Sequence, residues 1–234
     1  MRSPFAAAVI TMLVALAGFA APPRSEAAGP SCHCFRDREY DPANPEKSDV
    51  YLLATASNTL LAAAYGIPKR EIVQARMSGT SGEDLWISNY AAHRQGAGAG
   101  ALMSARGSAP SWRAVFQTRG GQLEPLGARF VAALAGGADD VALARIAAAE
   151  TLAARLGTPW TELDDLLSRG ATLQETVIAA LLGAWSSRPA PQVYADVKAG
   201  KSGWSKLLAA QGRVPKQMET EVPKALRPEA PAAR

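Results

Sequence analysis

The sequence of 234 residues has only two histidines and two cysteines, and this scarcity limits the chemistry that it can carry. A Ser-His-Asp or Cys-His catalytic site needs a histidine, and neither His33 nor His93 lies in a recognisable catalytic setting. The Cys-x-x-Cys motif of redox proteins and the Cys-x-x-Cys-His motif of haem attachment are both absent. The sequence therefore predicts no catalytic residue, no cofactor and no enzymatic activity.

Strand patterns are lacking as well, since no run of alternating β-branched residues occurs. Apolar residues instead recur at helical spacing, most clearly in Val177, Ile178, Leu181, Leu182 and Trp185. Beyond the N-terminus, no stretch approaches the roughly 18 uninterrupted apolar residues that a membrane span requires. We therefore predict an all-α protein without a transmembrane segment once its N-terminal segment has been removed.

The N-terminal segment, residues 1–28, is predicted to be a secretory signal peptide. Arg2 provides a positive start, residues 5–16 form an apolar run broken only by Thr11, and small residues follow at Gly18 and Ala20. Cleavage is expected after Ala20 or near Ala28, and an uncleaved membrane anchor is the alternative. The mature protein is then periplasmic or secreted, and it begins with an irregular lead-in over residues 29–47.

Cys32, His33 and Cys34 form the densest chemical cluster, which contains both cysteines of the chain. Two thiolates and an imidazole are good ligands for copper or zinc, although a closed zinc site normally has four ligands at wider spacing. In an oxidising compartment a disulfide is the simpler expectation, and it is the one that we favour. Free thiols are the third possibility.

An internal repeat dominates the rest of the chain. Residues 48–66 match residues 139–157 without a gap, at the offset that separates Gly66 from Gly157, and the match resumes around Trp112 and Trp204 after a slip of one or two residues. We therefore predict two tandem duplicated helical modules, packed together, over residues 48–121 and 139–213. A connecting helix is expected within residues 122–138. Residues 214–234, rich in proline, lysine and alanine, are expected to form a disordered tail.

Individual positions within the repeat predict local roles. Asp49 is expected to open the first helix, and Ser202 to cap the helix that begins at Trp204. Trp112 and Trp204 are expected to be equivalent buried residues. Trp160 and Trp185 have no counterpart in the other copy, so we predict that they line an interface, either between the two copies or with a partner.

Two acidic positions also recur in the repeat, and they raise the question of catalysis. Glu71 and Glu162 lie in first helical turns, where the positive end of the helix dipole explains them without a catalytic role. An envelope enzyme that uses His93 or these two glutamates is the least favoured hypothesis, because no partner residues are visible for it.

The pattern Gly-x-Pro, then Gly-x-x-x-x-[Asp/Glu], then Trp-x-x-[Leu/Val] resembles helical repeats of uncharacterised exported bacterial proteins over residues 48–212. The resemblance implies no known activity. We predict an exported, non-enzymatic helical-repeat protein that binds an unknown protein or another envelope component, and no nucleic acid. The alternative is a periplasmic metal-binding protein that uses the Cys-His-Cys cluster.

Overall fold

A computed structural model describes residue 41 and residues 45–119 and 123–228. Within these residues there are twelve α-helices and no strand, so the all-α prediction is confirmed. The first half of the chain contains α1 (Pro45–Tyr65), α2 (Lys69–Met77), α3 (Gly82–Gln95), α4 (Ala99–Gly107), α5 (Trp112–Arg119) and α6 (Ala128–Ala135). The second half contains α7 (Asp140–Thr151), α8 (Trp160–Ser168), α9 (Leu173–Ser186), α10 (Ala190–Lys198), α11 (Trp204–Ala210) and α12 (Met218–Ala225).

Three shorter segments complete the fold. A π-helical turn, Leu152–Leu156, continues α7, and 3-10 turns over Glu124–Leu126 and Pro215–Gln217 precede α6 and α12. The order of long and short helices is therefore the same in both halves, and α2, α3 and α4 begin 91 residues before α8, α9 and α10. Whether the halves superpose as two modules stays a prediction.

Matching caps start the third helix of each half. The Ser81 hydroxyl accepts a hydrogen bond of 2.9 Å from the Asp84 amide. Thr172 and Glu175 form a reciprocal capping box, because each backbone amide donates to the side chain of the other residue, at 2.9 and 3.2 Å. These caps satisfy amide groups that the helix itself leaves without a partner, so both helix starts are well defined.

The first helix of each half makes its most extensive contact with a helix of the other half. α1 packs most extensively against α9 and also contacts α11 and α12, whereas α7 packs most extensively against α3 and also contacts α6 and, in its own half, α9. The two halves are therefore interlocked rather than placed side by side, and neither contains all the helices that bury its own third helix.

Two aspartates form hydrogen bonds between these first helices and the opposite halves of the chain. Asp49 on α1 accepts hydrogen bonds from the Trp204 and Ser205 amides at the start of α11, at 3.0 and 2.7 Å. Asp140 on α7 accepts one from the Trp112 amide at the start of α5, at 2.9 Å. The acid on each first helix thus caps the tryptophan helix of the other half.

These contacts correct two sequence predictions. Asp49 does not open the first helix, because α1 already begins at Pro45. Ser202 does not cap α11, because Gly203 occupies the cap position and the Asp49 carboxylate satisfies the amides there. Trp112 and Trp204 are both buried, at 0% and 3% exposure. Their equivalence in a superposition remains to be measured.

The predicted disordered tail is wrong for residues 214–228. α12 packs on α1 and buries Met218 and Val222, which are spaced four residues apart on one helical face. The many charges and prolines of this segment masked its short apolar stripe. Helix α6, which buries Phe130 and Leu134, lies within the residues where a connecting helix was predicted, and its connecting role stays a prediction.

Several predictions lie outside the described residues. The signal peptide, the Cys-His-Cys cluster and residues 229–234 belong to this part of the chain. Among the described residues, no helix combines the length and the apolar character needed to cross a membrane.

Candidate functional site

A small pocket lies on the seam where the C-terminal ends of α1 and α3 meet the end of α7. Its volume is about 50 Å³, and both halves of the chain contribute to it. We call it the seam pocket. Its lining residues are Tyr65, Tyr90, His93, Arg94, Glu150, Thr151, Ala154 and Arg155.

The π-helical turn shapes the second-half wall of the seam pocket. Helix α7 widens at Leu152, and Ala154 and Arg155 on the wider turn reach the pocket. The corresponding stretch of α1 stays α-helical as far as Tyr65. Single π turns inside α-helices are rare and are frequent at functional sites, which singles out this end of the molecule.

A hydroxyl pair joins the two walls of the pocket. The Thr151 hydroxyl donates to the carbonyl of Ala147 at 2.7 Å, so it accepts the hydrogen bond of 2.6 Å that the Tyr65 hydroxyl donates. The His93 ring lies against Tyr65, with 5.4 Å between the ring centroids. Tyr65 is therefore fixed as a wall of the pocket.

Arg155 connects the pocket to the C-terminal segment. Its guanidinium donates to the Ala64 carbonyl at 2.6 Å and to the Arg227 carbonyl at 3.1 Å. The Arg227 amide donates back to the Arg155 carbonyl at 2.6 Å. Residues just after α12 thus help to hold the pocket wall in position.

Glu150 is the unusual residue of the pocket. Burial raises the pKa of its carboxyl group, and the charges of Arg94 and Arg129 oppose that rise. No described residue makes a direct hydrogen bond or ion pair with this half-buried carboxylate. A partly desolvated carboxyl group without a direct partner is costly to keep, and such groups occur preferentially at functional sites.

Beside Glu150, a glycine lies against polar atoms of both halves. Gly127 has φ of +81°, a conformation that other residues rarely adopt. A Cβ placed there would lie 3.5 Å from Glu150 Oε1, 3.5 Å from Tyr90 Oη and 3.7 Å from Arg94 Nη2. Three polar atoms from both halves therefore pack around this glycine.

Two backbone carbonyls hold the polar side chains on the first-half side of Gly127. The Tyr90 hydroxyl donates to the Leu126 carbonyl at 2.5 Å, and Arg94 Nε donates to the Pro125 carbonyl at 2.6 Å. Burial, and then the Glu150 carboxylate, raise the pKa of the Tyr90 hydroxyl, so it stays protonated. The remaining guanidinium donors of Arg94 are therefore a cationic group beside Glu150.

No family model, curated protein or solved structure matches this chain. The functional argument therefore depends on the geometry of the site.

A larger cleft, of about 380 Å³, opens where the starts of α3 and α9 face each other. Several of its polar groups already have structural roles. Ser81 and Thr172 cap the two helices, and Arg76 donates to the Thr80 carbonyl at 3.0 Å. The seam pocket is the better candidate because Glu150 has no such role.

The tryptophans predicted to line an interface are half-buried, and each has an arginine within the chain. The Arg129 guanidinium lies 3.9 Å from the ring centroid of Trp160, and that of Arg213 lies 4.9 Å from Trp185. Such cation–π contacts contribute on the order of 1 kcal/mol each. Intramolecular packing thus accounts for both residues, and binding of a partner by them stays a prediction.

The two acidic sequence candidates, Glu71 and Glu162, differ in their surroundings. Glu71 is exposed, and Glu162 accepts a hydrogen bond of 2.7 Å from the Ala190 amide, so that it caps α10 rather than its own helix. The described residues contain no cluster of three His, Cys, Asp or Glu that could hold a metal. Cys32, His33 and Cys34 lie outside that part of the chain.

Sequence reasoning missed most of the seam pocket, although the repeat contained a signal for it. When the two copies are aligned at the offset of 91 residues, Tyr90 corresponds to Leu181, Arg94 to Trp185, and Arg155 to Ala64. A polar residue in one copy and an apolar residue in the other marks a position that packing alone does not explain.

Proposed function

We propose that this protein is an exported, non-enzymatic binding module that holds a partner protein or another envelope component at the seam pocket. The observation that carries the proposal is Glu150, a half-buried carboxylate without a direct partner among the described residues, in a pocket lined by both halves of the chain. A ligand group that entered the pocket would complete the burial of this carboxylate and pair with it directly.

The arrangement favours binding over catalysis. The hydroxyls of Tyr65 and Tyr90 are engaged in hydrogen bonds with Thr151 and with the Leu126 carbonyl, which suits walls of a pocket. The pocket is small, at about 50 Å³, compared with the sites that enclose whole small molecules. A site of this kind anchors a group on a larger ligand.

The test is recovery of the ligand from its own cell envelope with tagged mature protein as bait. Ala154 is exposed at the pocket, so Ala154→Phe would fill the pocket without disturbing the core. Ala209→Phe, at an exposed position on α11, is the matched control. We expect the same envelope component to be retained by the wild type and by Ala209→Phe, and to be lost with Ala154→Phe.

Mass spectrometry identifies the retained component, and circular dichroism checks that both variants are folded. Equal recovery with Ala154→Phe would remove the seam pocket from the proposal. Failure of the wild type to retain any component above the level of an unrelated exported protein would contradict the binding function itself.

A further inference from the structure

We propose that the C-terminal segment, residues 214–228, is a detachable latch that regulates the seam pocket. When the segment is docked on α1, it fixes the wall of the pocket that Arg155 forms, and the pocket binds its ligand. When the segment detaches, this wall loosens and affinity is lost. The regulation of binding rests on the proposed function, whereas the coupling between the segment and the wall is measurable without a ligand.

The link between the segment and the pocket is a reciprocal pair of hydrogen bonds. The Arg227 amide donates to the Arg155 carbonyl at 2.6 Å, and Arg155 Nε donates to the Arg227 carbonyl at 3.1 Å. The same Arg155 side chain lines the seam pocket and donates to the Ala64 carbonyl at 2.6 Å. Detachment of Arg227 removes both bonds of the pair, so the π turn that carries Arg155 is then held less firmly.

A glycine in the second half allows this contact. The Arg227 guanidinium lies directly against Gly157, where any side chain would clash with it. Gly157 follows the π turn and has φ of +75°. The end of the C-terminal segment is therefore seated against the residue at which the pocket wall ends, and the two are expected to loosen together.

Only a small apolar contact keeps the segment docked. α12 buries Met218 and Val222, and Pro215 is buried just before it, whereas the other residues of the segment are partly or fully exposed. Pro223 lies within α12 and lacks the amide that would donate along the helix. Few buried side chains thus offset the conformational entropy that the whole segment loses on docking.

Buried polar groups without partners weigh further against the docked state. Among the described residues, Thr59 Oγ1 on α1, Gln211 Oε1 and Arg213 Nε are buried and have no hydrogen-bond partner. The latter two lie where the chain enters the segment. Water satisfies such groups when a segment detaches, so each one lowers the cost of opening.

Cavities lie on both sides of the segment. One of about 340 Å³ separates Glu219 and Pro223 from Thr59 on α1, and another of about 430 Å³ is lined by Arg227. The ion pair between Lys69 and Glu219, at 2.7 Å, is largely exposed on the Glu219 side and contributes little. Sparse packing and exposed polar contacts are the properties of segments that open locally, without global unfolding.

The docked and detached states form the two-state element that regulation requires. If docking raises the affinity of the seam pocket, a ligand in the pocket stabilises the docked segment by the same factor. The segment would therefore report occupancy of the pocket, in addition to controlling it.

Hydrogen exchange of the full mature protein, followed by mass spectrometry, tests the coupling without a ligand. We expect the amides of α12 to exchange at least about a hundredfold faster than those of the buried helix α9. Val222→Asp places a charge in the face that packs on α1. It should accelerate exchange in α12 by at least about tenfold, and exchange in the π turn, Leu152–Leu156, should rise with it while α9 stays unchanged.

Two further variants control for general damage to the fold. Thr220→Asp adds the same charge on the exposed side of α12 and should leave exchange at the wild-type rates. Thr59→Val keeps the shape of the side chain and removes the unpaired hydroxyl, so it should slow exchange in α12 by about fivefold and also slow the π turn. If α12 exchanges as slowly as α9, or if the π turn does not follow α12 in these variants, the inference is wrong.

Envelope capture then tests regulation of the pocket. Val222→Asp should retain at most about a fifth of the component that the wild type retains, and Thr220→Asp should retain it fully. Equal capture by Val222→Asp and the wild type would reject regulation by the C-terminal segment and keep the binding function. Failure of the wild type to capture any component would contradict the binding function, and hydrogen exchange would still decide the coupling.

Discussion

Removal of the Asp49 carboxylate is the most direct test of the packing of α1 against the second half of the chain. Asp49 lies on α1, yet its two oxygens accept hydrogen bonds from the Trp204 and Ser205 amides, more than 150 residues later in the chain. Asp49→Ala leaves both amides at the start of α11 without their acceptor. It also removes a negative charge from the positive end of that helix.

The cost can be worked out from these contacts. Hydrogen bonds to a charged group contribute about 1.5 kcal/mol each at the low end, the value suited to a half-exposed carboxylate, which gives about 3 kcal/mol for the pair. Alanine is a better helix former than aspartate in α1 by about 0.6 kcal/mol. We therefore expect a net loss of about 2 kcal/mol in the free energy of unfolding. Asp49→Asn retains one acceptor oxygen and should lose about 1 kcal/mol.

Urea unfolding at neutral pH, followed by circular dichroism, measures these differences. Asp139→Ala is the matched control, because Asp139 caps its own helix α7 through one hydrogen bond of 2.8 Å to the Ala142 amide. Its expected cost is about 1 kcal/mol. The order of stability should therefore be wild type, then Asp139→Ala, then Asp49→Ala.

A different order would refute the capping of α11 by Asp49 on α1. If Asp49 were only an acidic residue near the start of its own helix, Asp49→Ala would change the stability by less than about 0.5 kcal/mol. A value that small, with Asp139→Ala behaving as expected, would mean that α1 does not cap α11 in solution.

Four further predictions concern the core, the pocket and the N-terminal region. Trp112→Ala and Trp204→Ala should each lower the free energy of unfolding by about 3–5 kcal/mol in the same assay, and a loss below about 2 kcal/mol in either would count against a buried role. Burial raises the pKa of Glu150 in the folded state, so its ionisation reduces stability as the pH rises through that value. Glu150→Gln should therefore gain melting temperature relative to the wild type at about pH 8 and not at about pH 4, and an equal difference at both would contradict this. The intact mass of the exported protein should place its first residue within residues 21–29, and a mass that retains the first twenty residues would exclude cleavage. Thiol counting without reductant should find both cysteines of the Cys-His-Cys cluster oxidised and no copurified metal, whereas two free thiols with stoichiometric copper or zinc would favour the metal-binding alternative.

Local helix signals were readable from the sequence because they depend on neighbouring residues. Glycine in the left-handed conformation ends the first helical segment of each half, at Gly66 and Gly157, and the capping pairs start α3 and α9 where the pattern placed them. These features need no knowledge of tertiary contacts. The all-α class followed from their accumulation along the chain.

The exchange of first helices could not be read from the same patterns. Asp49 fits the start of its own helix and also the start of a distant one, and nothing local distinguishes the two. The same holds for Glu162, which lies in the first turn of α8 but caps α10. A hydrogen-bond acceptor near a helix start is evident in sequence, whereas the helix that it serves depends on packing.

The seam pocket illustrates a further limit. Glu150 is the next-to-last residue of α7, a helix that the pattern shows only as apolar and alanine-rich, and the π turn that follows has no sequence signature. Its chemistry arises because α7 crosses to the first half and meets Tyr90 and Arg94 on α3. Only the comparison of the two copies would have pointed to these positions.

The exchange also creates a second seam, where α1 meets α9. The residues there that correspond to the seam pocket are mostly apolar, and they include Leu156, Leu181 and Trp185. The C-terminal segment lies against this region, since α12 packs on α1 and Arg213 stacks on Trp185. The C-terminal segment thus covers part of the second seam, while the first seam keeps polar side chains at its surface. Because apolar residues take the corresponding positions of the second seam, packing of this kind does not require the charged residues of the first, and this difference supports the proposal that they bind a ligand.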